Sequence, residues 1–218
     1  MLHYFSARRL ATLFFLAVFP HAMSAAIDVS LQGTFMNDDN LAMFSIRVET
    51  PSTVAIKTLS YAGAINAHGN VVARGGFDPV LSLFAGYLDP SGEQIAGNDD
   101  GGCGQVGSDS MTGNCWDAAI VNFDLLPGIY TVVVSQTGNY AAGPTFGAGF
   151  TRTGNGNYTG LEFVGINEPF WDISGSKRDA HWAVDFLNVD SASEVPEPTT
   201  LTIIGIGLGA MSVLRRRN

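Results

Sequence analysis

Positive charge is scarce in this chain and unevenly placed. Of eleven Lys and Arg residues, Arg8, Arg9, Arg215, Arg216 and Arg217 sit near the ends, leaving Arg47, Lys57, Arg74, Arg152, Lys177 and Arg178 for everything between. All twenty acidic residues fall between Asp28 and Glu197, so six cations against twenty acids leave that body at a formal −14. Such a surface argues against nucleic acid as a partner, because phosphates are held by Lys and Arg that displace their counterions. It favours solubility outside the cell and the binding of divalent cations.

The usual catalytic side chains are thin as well. Between the terminal segments only His68 and His181 remain, neither in an HExxH spacing, and no GxSxG elbow is present. Paired carboxylates can support glycoside hydrolysis, but in so acidic a chain a pair of them carries little information. We therefore expect no enzyme. The only two cysteines, Cys103 and Cys115, are separated by eleven residues rich in Gly, Ser and Thr. An even count reads as a disulfide where the chain leaves the reducing cytoplasm. Two thiols, or half of a metal site, are the alternatives.

Long apolar runs occur only at the ends. The first begins after Arg8 and Arg9 and covers Leu10 to Phe19; Pro20 breaks it, and small residues follow at Ala22, Ser24, Ala25 and Ala26. Ten residues of helix span about 15 Å, roughly half of a bilayer's hydrocarbon. Basic region, apolar core and small-residue site occur in the order of a signal peptide, assigned to residues 1–26. The second run, Thr199 to Leu214, has sixteen residues without charge and ends at Arg215, Arg216 and Arg217. As a helix it would be about 24 Å long, enough for a single transmembrane segment if the arginines snorkel. The basic tail holds its end in the cytoplasm and acts as the membrane stop, which places the body outside.

Immediately before that run stands Val195-Pro196-Glu197-Pro198. This motif, followed by an apolar span and an Arg cluster, resembles the PEP-CTERM sorting signal, assigned to residues 196–218. The resemblance implies a partner, an exosortase-type membrane protease that cuts near Pro-Glu-Pro and removes the anchor. It also implies an inner-membrane anchored intermediate, followed by release to the cell surface or extracellular matrix.

The body, residues 27–190, reads as all-β. Met43 to Glu49 alternates apolar and polar residues, and Thr53 to Leu59 repeats the pattern after the turn at Pro51-Ser52. Leu81 and Leu83 mark a third strand, Ile129 to Ser135 a fourth, and Trp182 to Val189 a late one. Many short strands divided by Gly, Asn and Asp predict an antiparallel β-sandwich or jelly roll. Ser191 to Val195 is polar and reads as a linker.

Several body segments resemble the DVUA-type domain family: Asn37-Asp38-Asp39-Asn40, Thr58 to Gly63, Gly75 to Phe84, Asn98 to Gly102 and Leu126 to Thr131. That family is in turn similar to pre-peptidase C-terminal β-sandwich domains. The resemblance implies a role in adhesion or substrate contact rather than catalysis.

Chemistry in the body concentrates in acidic loops. Asp38, Asp39, Asp99 and Asp100 are the candidate metal ligands, with Asn37, Asn98, Asp109 and Asp117 as further oxygen donors for Ca²⁺. The same aspartates equally serve to start turns and solubilise loops. Trp116, Trp171, Trp182, Tyr140 and Tyr158 are available for stacking on extracellular polysaccharide, although Trp171 and Trp182 suit the core better.

Overall fold

The computed structural model describes residues 26–196. The signal peptide read at 1–26 and the sorting signal read at 196–218 therefore lie outside the described residues, apart from Ala26 and Pro196. Among the described residues no helix is long and apolar enough to cross a membrane.

Eleven strands are present: β1 (Ile27–Thr34), β2 (Ala42–Val48), β3 (Ser52–Thr58), β4 (Ala64–Ile65), β5 (Val71–Val72), β6 (Pro79–Ala85), β7 (Gln94–Asn98), β8 (Ala119–Leu125), β9 (Gly128–Gln136), β10 (His181–Val189) and β11 (Ser191–Val195). They form a four-stranded sheet ordered β1-β10-β3-β8, a five-stranded sheet ordered β11-β2-β9-β6-β7, and the small β4-β5 hairpin. All the strand pairings are antiparallel. Among the described residues a 3-10 turn (Phe146–Ala148) and one α-helix, α1 (Thr159–Phe163), break the long segment between β9 and β10.

Alternation decides which side chains meet. Phe44, Ile46, Leu81, Leu83, Val132 and Val134 from the five-stranded sheet share one core with Val54, Ile56, Ile120, Val184 and Phe186 from the four-stranded sheet. Two sheets burying one face each against the other are consistent with a β-sandwich. The opposite face of the five-stranded sheet is also covered. There Met43, Phe84, Val133 and Val195 pack with Phe150, which the segment after β9 brings across. Burial on both faces explains why β6 and β9 read as continuous apolar runs rather than alternating ones.

The segment expected as a linker is a strand. Ser191–Val195 pairs with β2 along its whole length, Ser191 opposite Arg47 and Val195 opposite Met43. Only Val195 is buried, so the strand is held by backbone hydrogen bonds on a sheet edge, which composition does not reveal. The folded body thus runs to Val195 rather than ending at residue 190.

Candidate functional site

Three chain segments converge beyond the ends of β6, β7 and β9. The first is the approach to β6. Gly76 lies so close to β10 that a Cβ there would sit 2.5 Å from the His181 carbonyl and 2.6 Å from Ser60 Cβ. Glycine alone permits this approach. Phe77 then enters the core and Pro79 begins the strand, with Asp78 between them at 4% exposure. Its carbonyl accepts the Thr137 N–H at 2.8 Å, which ties the chain after β9 to the same place.

The second segment follows β7 and carries Asp99 and Asp100. Asn98 Oδ1 accepts the Ala119 N–H at 2.6 Å, and Gly101 N–H donates to the Asp117 carbonyl at 2.9 Å, so the loop starts and returns beside β8. The expected disulfide joins Cys103 to Cys115 and closes the loop just before Trp116. The third segment brings Tyr140, whose hydroxyl donates to Asp99 Oδ2 at 3.0 Å.

Together these residues line a cavity of about 560 Å³, with Asp78, Asp99, Asp100, Trp116 and Tyr140 on its wall and the Arg152–Glu162 ion pair on its margin. Trp116 is half-buried against Tyr61, ring centroids 5.4 Å apart, and Tyr140 remains 43% exposed. The volume is that of a small-molecule site. Its charge is one-sided: no described Lys, Arg or His forms an ion pair with Asp78, Asp99 or Asp100. Burial raises the pKa of Asp78 well above the usual carboxylate value, and the charges of Asp99 and Asp100 add to it. Burial likewise raises Asp99, and Asp100 is raised by burial and then by its neighbour Asp99. Asp78 Oδ1 and Asp99 Oδ1 are buried without a hydrogen-bond partner. Orphaned buried acceptors are costly and rare.

Of the two acidic pairs singled out in the sequence, Asp99-Asp100 lines this cavity and Asp38-Asp39 does not. Asp38 is fully buried, and its carboxylate is taken up by protein donors: Oδ2 accepts from Tyr158 N, Thr159 N and Thr159 Oγ1 at 3.0, 2.8 and 2.7 Å, and Oδ1 from Phe170 N at 2.7 Å. Asp39 Oδ2 accepts the Gly156 N–H. This pair staples the β1–β2 loop to α1. Asn40 Oδ1 caps the same loop by accepting from Met36 N and Asn37 N. Asp117 is similarly engaged by Tyr61 N, Ala62 N and Thr58 Oγ1. Asp109 is buried between Arg74 and Arg178; burial opposes its charge, but the two guanidinium hydrogen bonds outweigh that and hold its carboxyl well below the usual range. Among the described residues no group of three or more His, Cys, Asp or Glu side chains is arranged to hold a metal ion.

The aromatic candidates also divide. Trp182 is core, edge-on to Phe44 at 5.3 Å. Tyr158 is buried with its hydroxyl donating to the Thr137 carbonyl at 2.8 Å, and Trp171 lies under Lys177. Only Trp116 and Tyr140 reach the cavity. Asp78 was missed by sequence reasoning, because inside Gly75 to Phe84 it reads as a strand-opening residue before proline. A charged residue framed by two core positions, Phe77 and Val80, was the available signal.

The second feature of note is the end of β11. Val195 is paired and buried, and Pro196 follows as the last described residue, exposed. Glu197, Pro198 and Arg215 to Arg217 lie outside the described residues. No curated protein and no solved structure matches the chain. Residues 194–217 match the PEP-CTERM protein-sorting motif, which supports a chain sorted by an exosortase, a membrane enzyme.

Proposed function

We propose that this is an exported cell-surface or extracellular-matrix protein whose β-sandwich has a structural or adhesive role, without catalysis, after exosortase processing. The observation that carries the proposal is the sorting motif joined without a spacer to a folded body. The body's charge suits an extracellular location, and its two cysteines are joined to each other, which removes a thiol nucleophile. The DVUA-type reading of residues 30 to 190 belongs with the same proposal.

Mass spectrometry of the C-terminus in cells with and without the exosortase tests it. Processing is expected only where the protease is present, with the new end at or beyond Pro196 so that β11 stays in its sheet. Retention of Arg215 to Arg217 in both strains would refute processing.

A second reading, a carbohydrate-binding module for exopolysaccharide, is favoured by one observation. Trp116 and Tyr140 stand beside Asp99 and Asp100 in a single cavity. Calcium assistance at that cavity would draw on carboxylate oxygens that have no protein donor.

A further inference from the structure

The cavity's unsatisfied chemistry narrows the second reading further. Asp78, Asp99 and Asp100 place three carboxyls in one wall with no described cation paired to them. The guanidinium that lines the cavity, Arg152, is paired with Glu162 and adds no net charge. Two of the carboxylate oxygens, Asp78 Oδ1 and Asp99 Oδ1, are buried and lack any donor. Asp78 is 96% buried on the wall of the cavity. A ligand that completes the site must therefore bring positive charge and N–H or O–H donors.

A bare metal ion fits poorly. Calcium requires six to eight oxygens converging at roughly 2.3–2.6 Å, and no trio of ligating side chains is so arranged among the described residues. The cavity, about 560 Å³, also exceeds an ion by more than an order of magnitude, given that a water occupies about 30 Å³. The space suits an organic cation, and the exposed faces of Trp116 and Tyr140 offer both apolar contact and cation–π attraction.

The needed donors are also spread out. Asp78 is buried beside β6, Asp99 is tied to Tyr140, and Asp100 is exposed on the rim. An alkylammonium chain end presents its N–H groups at one point. A sugar ring presents hydroxyls and an amino group around its edge and a C–H face for stacking.

Resting on the carbohydrate-binding reading, we infer that the cavity binds an amino sugar whose nitrogen is not acetylated. The ammonium and the ring hydroxyls divide their N–H and O–H donors among Asp78, Asp99 and Asp100, and the ring packs against Trp116 and Tyr140. The positive charge belongs to the saccharide, so no calcium is needed.

Calorimetric titration of the full chain in detergent tests this with five probes: a glucosamine tetramer, its fully N-acetylated counterpart, a glucose tetramer, tetralysine and calcium chloride. The glucosamine tetramer is expected to bind at least tenfold more tightly than the other four. Asp99→Asn and Trp116→Ala should each weaken it about tenfold. Asp100→Asn, at an exposed position, keeps the test valid should the buried substitution Asp78→Asn fail to fold. Equal binding of the acetylated or glucose tetramer would overturn the ammonium assignment and leave the carbohydrate reading standing. Preference for tetralysine or calcium would overturn it in favour of those cations. Binding of no saccharide at all would overturn both readings.

Discussion

Replacing Asp38 with alanine distinguishes a structural staple from an ion ligand. The carboxylate joins three distant pieces of chain: the β1–β2 loop that carries it, the start of α1 through Tyr158 and Thr159, and the segment before β10 through Phe170. The Thr159 hydroxyl also donates to it but can rotate, because that oxygen additionally accepts the Trp171 N–H at 2.9 Å. Asp38→Ala therefore strands three buried backbone N–H groups. Each uncompensated donor costs about 1–3 kcal/mol, and water entering the vacated space offsets part of it, leaving a loss of about 4 kcal/mol. For a domain of this size, roughly 2–4 °C per kcal/mol converts that to a thermal midpoint lower by about 8–16 °C. Asp38→Asn retains one acceptor but turns an amino group toward an N–H, so it should fall between wild type and alanine. Thermal unfolding with and without chelator reads the effect, and amide exchange at Tyr158, Thr159 and Phe170 localises it. The reasoning fails if Asp38→Ala lowers the midpoint by less than about 3 °C. It fails equally if chelator destabilises the wild type and leaves the variant unchanged.

Two further outcomes are expected. Reduction of Cys103–Cys115 should cost about 3 kcal/mol by the chain-entropy relation for a loop of this length, and it should loosen Trp116 enough to weaken saccharide binding; unchanged urea midpoints would contradict the first part. Acidification from pH 7 toward 5 should stabilise the protein. The folded-state pKa values of Asp78, Asp99, Asp100 and Asp117 are raised, burial being the first cause in each. Each contribution is thus complete below the unfolded value, about 3.9, and is lost as pH rises through the folded one. Asp109 has the opposite sign: its contribution is present above about 3.9 and disappears as pH falls through its depressed folded value. A thermal midpoint that declines steadily from pH 7 to 5 would show that the raised carboxyls do not dominate.

The strands that were legible in the sequence are those in which hydropathy reports burial. Met43 to Val48 alternates because β2 places its residues on two different faces, and Ile129 to Ser135 is apolar because both faces of β9 are covered. β8 was less legible. Asn122 has a φ of 52° and sits where the pairing with β3 slips between Val54 and Ile56, so the alternation is interrupted by a bulge. β11 was illegible because an edge strand with one buried side chain leaves almost no hydropathic trace. The candidate site divides similarly. Asp99, Asp100, Trp116 and Tyr140 were recognisable as residue types, and the disulfide was recognisable from the count of two. Their meeting with Asp78 depends on the close approach of Gly76 to β10, where an added Cβ would sit 2.5 Å from the His181 carbonyl, a contact between positions more than a hundred residues apart. Asp38 looked the same as Asp99 in sequence; only the presence of donors around one, and their absence around an oxygen of the other, separates them.

The direct junction between β11 and the sorting motif has a mechanical consequence. A body held through the residues after Pro196 receives any drag force at Val195, the end of a five-residue ladder on β2. Tension along the strand axis loads those rungs in parallel, whereas tension across it opens them one after another from Val195 backward. The burial of Val195 among Met43, Phe84, Val133 and Phe150 places an apolar lock at the rung that would open first. β11 is therefore the first element of the sandwich that a load on the tether meets.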